Sequence, residues 1–116
     1  MKSQEQKMRL KDSQVKDKRR QLQQLRATIL SFKKTVANLE EQISIEERKS
    51  GIYDINHFAY SIFAKSTRQR VDNLLISIKE LLLKQESLEA DLEKIDSEID
   101  DCAAAEDRIK TNRVIF

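Results

Sequence analysis

Acid–base or metal chemistry in this chain would have to pass through His57, its one histidine, because imidazole titrates near neutral pH and is the commonest metal ligand. Glu46 and Glu47 are the carboxylates that a turn would bring close to it. One imidazole with two carboxylates lacks the companions of a metal centre or an acid–base pair, so a hydrogen bond inside a helix seam is the simpler use. Nucleophilic chemistry would fall to Cys102, the one cysteine, at a core position in an acidic neighbourhood that disfavours the thiolate. It reads as an inert thiol, and alone it forms no internal disulfide. A single Gly cannot build a phosphate-cradling loop. No catalytic residue, metal ligand or cofactor site is assigned, and the expected activity is non-enzymatic.

Two further clusters could bind rather than react. Residues 16–20 hold four cations, Lys16, Lys18, Arg19 and Arg20, but no aromatic residue interleaves to stack a base, so no nucleic-acid partner is assigned. Arg68 and Arg70, with Lys65, lie in sequence beside Phe58, Tyr60 and Phe63. A run of charges is ordinarily a solvated face; beside aromatics it has the composition of a protein contact.

These residues must be positioned by helices. Charged residues make up 36% of the 116 and aromatics 5%, with one Gly and no Pro, so little interrupts a helix. From Met8, each seventh residue is apolar: Val15, Leu22, Ile29, Val36 and Ile43, a sustained heptad a line. Its d partners run Lys11, Lys18, Leu25, Phe32, Leu39 and Glu46, polar at both ends, so fraying is expected near Met1. A second heptad places His57, Ala64, Val71, Ile78, Gln85, Leu92 and Ile99 at a, and Tyr60, Thr67, Leu74, Leu81, Leu88, Ile95 and Cys102 at d. The predicted elements are helix 1 over about 3–49, a turn over 50–54 with Gly51 ending one helix and Asp54 capping the next, and helix 2 over about 55–112.

The fold class is therefore all-α, a single two-helix antiparallel coiled-coil hairpin turning near Gly51. Charge tests the orientation independently. Residues 1–34 carry eleven Lys and Arg against three acids, and residues 86–107 carry ten acids against Lys94 alone. Folding back at Gly51 sets one beside the other, and their shared sign selects orientation although each exposed pair contributes only about 0.2–1 kcal/mol. A fold centred at residue 51–52 pairs residues whose numbers sum to 103, such as Leu25 with Ile78 and Phe32 with Val71. The same register matches the polar seam residues, Lys18 with Gln85 and Glu46 with His57.

A two-helix hairpin leaves heptad position f facing outward. In helix 1 these positions are charged (Arg20, Lys34, Glu41), whereas in helix 2 they read Ile55, Ile62, Gln69, Ile76 and Leu83, flanked by Phe58, Leu75 and Leu82. An apolar stripe with no third helix to cover it marks an interaction surface, for a partner or for self-association; the plainer alternative is that strong local supercoiling, or packing of the loop around Ile52 and Tyr53, shades part of it. The partner-binding residues inferred are Phe58, Tyr60, Ile62, Phe63, Arg68, Arg70, Ile76 and Leu83. The apolar end Val114, Ile115 and Phe116 is a frayed tail or a short docking segment. The longest apolar stretch, residues 74–83, is broken by Lys79 and Glu80 and falls short of the ~20 residues that span a bilayer. No membrane insertion is expected, and without an apolar segment near Met1 the chain is read as cytoplasmic.

The segments MRLKDSQV at 8–15, KRRQ at 18–21, Gly51-Ile52, DINHFAYSIFA at 54–64 and Gln69-Arg70 together resemble the flagellar export protein FliJ family as it occurs in alphaproteobacteria. The resemblance implies a soluble component of the flagellar type III export apparatus at the cytoplasmic side of the inner membrane. It would sit by its termini in the pore of a hexameric export ATPase, contact the export gate with its turn end, and escort export chaperones. No functional residue is carried over by identity, because the family lacks a tight binding motif. Two other readings remain: a prefoldin-like chaperone subunit, which normally carries strands between its helices, and a generic coiled-coil adaptor.

Overall fold

The first amides of a helix have no partner within it, and here Ser3 and Gln6 supply what is missing. The Ser3 hydroxyl accepts from the Gln6 amide at 3.2 Å, and the Gln6 side chain accepts from the Ser3 amide at 3.3 Å, a reciprocal capping box. From this cap the computed structural model runs without a break as α1 (Gln4–Ser50), followed by α2 (Ile62–Ile115), with no strand among the described residues. The structure describes the backbone of residues 3–115 and the side chains of 3–105, 107 and 108. The fraying expected at Met1 and the side chains of Val114, Ile115 and Phe116 lie outside the described part.

Gly51 ends α1 as expected. Its φ of 73° is the left-handed conformation that lets its amide turn back to the Glu47 carbonyl at 2.8 Å. The basic Arg48 and Lys49 in the last turn oppose the negative end of the helix dipole. The connection that follows is longer than the expected 50–54. Asp54 caps no helix: its carboxylate accepts from the Asn56 amide at 3.0 Å, closing a local turn. Two more turns join the His57 amide to the Asp54 carbonyl and the Tyr60 amide to the His57 carbonyl, both at 3.1 Å. The residue that starts α2 is Ser61, whose hydroxyl accepts from the Ala64 amide at 3.2 Å. The second helix thus begins at Ile62 and not near residue 55.

The chain divides into two compact units, Leu25–Lys84 and Met1–Gln24 with Gln85–Phe116. In the first, the core is Ile29, Val36, Leu39 and Ile43 of α1 against Ala64, Val71 and Ile78 of α2, with Tyr60 of the connection. All occupy expected a or d positions. Fully burying one such aliphatic side chain contributes about 1.5–3 kcal/mol, so this seam holds the two helices together. His57 departs from the pattern: it is exposed in the connection, where its Nδ1 accepts from the Ala59 amide at 3.0 Å. The expected pair with Glu46 does not form.

In the second unit Val15 and Leu22 of α1 pack with Leu92 and Ile95 of α2, flanked by Leu88 and Ile99. Here the register is directly visible. Lys18 pairs with Asp91 at 3.4 Å, and Lys11 with Glu98. As the α1 number falls, the α2 number rises, so the helices run antiparallel. Both pairs sum to 109, not 103, which brings Lys18 and Lys11 alongside Leu92 and Ile99, one heptad further along α2 than expected. Gln85, the expected partner of Lys18, instead donates to Glu89 on its own helix at 2.9 Å. The physical reason is the longer connection, which moves the fold's midpoint along the chain while leaving the a and d residues within the two helices on the same face.

The hydrogen bond and charge of Lys11 hold the Glu98 carboxyl below its ordinary value. A depressed carboxylate contributes stability above its unfolded value, near 4.3, and loses it as the pH falls through the folded value. Replacing Lys11→Ala is expected to raise the Glu98 midpoint, measured by NMR titration of its side chain. A midpoint indifferent to Lys11 would return the register to 103, which sets Lys11 beside Leu92, about 9 Å along the helix from Glu98.

Candidate docking surface

Heptad geometry leaves position f of α2 turned away from α1, and its residues are correspondingly bare. Ile62 is 86% exposed, and Ile76 and Leu83 are each exposed by more than half. Beside them, Phe63, Leu75 and Leu82 are also exposed. Phe58 belongs to the connection, not to a helix, and at 96% exposure it is as open as a free side chain. Its one ring contact among the described residues is a stack on His57, with centroids 4.7 Å apart and planes at 22°. Ile55, expected on the helical f line, likewise lies in the connection.

Two of the expected surface residues point elsewhere. Tyr60 is buried, at 6% exposure, and Arg68 is committed to an internal network around Glu47. Arg68 Nε donates to the Tyr60 hydroxyl at 2.9 Å, and its Nη2 donates to both Glu47 oxygens at 3.2 Å. The Tyr60 hydroxyl in turn donates to Glu47 Oε2 at 3.3 Å. The bond to Tyr60, then those to Glu47, hold the Arg68 guanidinium above its ordinary value against the opposing effect of burial. Charge-assisted bonds to a carboxylate with 8% exposure are among the stronger polar contacts. Tyr60 and Arg68 are therefore part of the framework, and their expected place on the docking surface is corrected. Arg70 stays exposed on α2.

Glu47 was expected near His57 and not with Tyr60 and Arg68, because it lies off the a and d lines. The available signal was charge at position e: Glu47 on α1 and Arg68 on α2 both occupy it, and opposite charges at e positions pair across antiparallel helices. Next to this network an open groove of about 570 Å³ runs between the helices, with Ile43, Val71, Leu75 and Ile55 for its apolar wall and Lys65 and Asp72 among its charges. No set of three or more His, Cys, Asp or Glu able to hold a metal occurs among the described residues. Cys102 is half-buried. No helix of the described residues is long and apolar enough to cross a membrane.

Compared with protein-family models, curated proteins and solved structures, the chain matches none. What the surface can do follows from its residues. It offers apolar and aromatic side chains, exposed on a helix that a buried network and a seam hold in place, which is the composition of a protein-binding face.

Exposure separates surface from framework in a stability measurement. Phe58→Ala and Ile62→Ala are expected to change unfolding free energy by no more than about 0.5 kcal/mol, whereas Tyr60→Phe, which strips Glu47 and Arg68 of a buried hydroxyl, should cost about 1 kcal/mol or more. Chemical denaturation followed by circular dichroism checks both. A loss at Phe58 equal to that at Tyr60 would remove Phe58 from the surface.

Proposed function

We propose that this chain is a protein-binding helical hairpin of the flagellar type III export apparatus, working as a stalk in the export ATPase ring and docking the export gate or export chaperones with its turn end. The observation that carries the reading is Phe58 with Ile62: two large apolar side chains, 96% and 86% exposed, held beside a connection that is itself tied down by Tyr60, Arg68 and Glu47. An unused apolar pair on so ordered a support favours docking to another protein over a solvated tip. The likeness of residues 8–21 and 51–70 to the FliJ family supplies the identity of the machine.

The mechanical side of the reading rests on stiffness. A stalk transmits asymmetry among ATPase subunits only if it resists bending. Within each unit the two helices pack along a heptad seam and are tied by cross-helix ion pairs, Lys11–Glu98 and Lys18–Asp91 in one and Glu47–Arg68 in the other, which favours that resistance. The gate and chaperone contacts fall to Phe58, Ile62, Phe63 and Arg70, with Ile76 and Leu83 further along α2. Such a protein acts at the cytoplasmic face of the inner membrane. The prefoldin-like alternative is disfavoured by residues 51–61, which form turns and no strand.

Adding the purified chain to a purified hexameric export ATPase is expected to raise its hydrolysis rate several-fold. In a pull-down from flagellated cells, the variant F58A/I62A/I76A should lose the gate or chaperone while keeping ATPase stimulation. No effect on the ATPase, with equal recovery of every partner by both probes, would discard the reading; capture of unfolded clients without ATPase stimulation would point to the chaperone.

A further inference from the structure

The outward line of α2 has an internal symmetry. From Ile62 it reads Ile62, Gln69, Ile76 and Leu83, so Gln69 has an exposed isoleucine one heptad to each side. The next line on the helix surface carries Lys65 and Asp72, exposed and of opposite charge, flanking Gln69. A second copy of this face laid antiparallel, with its two-fold axis through Gln69, sets Ile62 against Ile76 twice and Lys65 against Asp72 twice. It also opposes Gln69 to Gln69, whose amide both donates and accepts and is therefore self-complementary. A parallel arrangement would instead place the Lys65–Asp72 lines of the two copies on opposite sides of the contact, where they cannot pair.

We propose that the outward face of α2 from Ile62 to Ile76 binds a second copy of this chain, antiparallel, with Gln69 on the two-fold axis and the Lys65–Asp72 pair formed twice. Isologous contacts repeat every interaction, so a pattern that is palindromic in both apolarity and charge is what such an interface requires. The face spans only a few helical turns, well below a standard interface, so the dimer is weak, with a dissociation constant on the order of tens of micromolar. Docking and dimerisation use the same isoleucines and compete. The inference stands apart from the export reading, because the purified chain alone tests it.

Sedimentation equilibrium from about 1 µM to about 1 mM should show the mass rising from 13.6 kDa toward twice that value. Each single reversal, Lys65→Asp or Asp72→Lys, makes two like-charged contacts and should weaken association about tenfold or more. The double swap K65D/D72K restores the opposite-sign pairs and should recover the wild-type constant within about threefold. As an independent check, Q69C in a C102S background should give a disulfide-linked dimer under mild oxidation. A mass of 13.6 kDa at every concentration, single reversals without effect, a double swap that fails to rescue, or no cross-link from the Q69C variant would each overturn the proposal.

Discussion

The buried carboxylate of Glu47 is the constraint on which the turn end depends. A carboxylate with 8% exposure costs several kcal/mol unless its charge is met. The path taken by residues 51–61 brings it a guanidinium and a phenol at once. Tyr60 comes from the end of the connection and Arg68 from the second turn of α2, so satisfying Glu47 fixes where the connection stops and where α2 starts. Sliding α2 by one heptad would preserve every apolar layer but carry Arg68 about 10 Å from the carboxylate. The apolar seam supplies most of the energy, and the polar network selects among the ways of zipping it.

That division explains which features could be read from sequence. Heptad spacing identifies the buried face, and Val15, Ile29, Val36, Ala64, Val71 and Ile78 are all buried as their positions require. Periodicity is blind to a shift of seven residues, so the expected register fell one heptad short once the connection proved longer than a five-residue turn. The same blindness extended the second heptad back to His57, which has the right number but no helix beneath it. The signal that would have corrected both was short and polar: Ser61 as the cap of α2. The opposite charges of the first and last segments gave orientation correctly, because the ion pairs of Lys11 and Lys18 need only an acidic neighbour, not a particular one.

The docking surface was legible in part for a related reason. Outward positions follow from the heptad, and Ile62, Ile76 and Leu83 are exposed accordingly. Side-chain chemistry alone could not sort the aromatics and arginines near the turn, since Tyr60 and Arg68 have the composition of an interface whether they face out or in. Burial of Glu47 decides it: Tyr60 and Arg68, the donors within its reach, are drawn inward, while Phe58, which cannot donate, and Arg70, which donates to no part of this network, are left outside. The network that orders the connection thus also presents the apolar residues beside it.

A double-mutant cycle on Glu47 and Arg68, with Glu47→Ala, Arg68→Ala and the pair measured by denaturant unfolding, tests this most directly. Strong coupling is the predicted result, with the double variant more stable than the sum of the single losses implies, by about 1 kcal/mol after solvent screening of the partly exposed arginine. Single losses that simply add would mean that Glu47 and Arg68 do not hold the connection together.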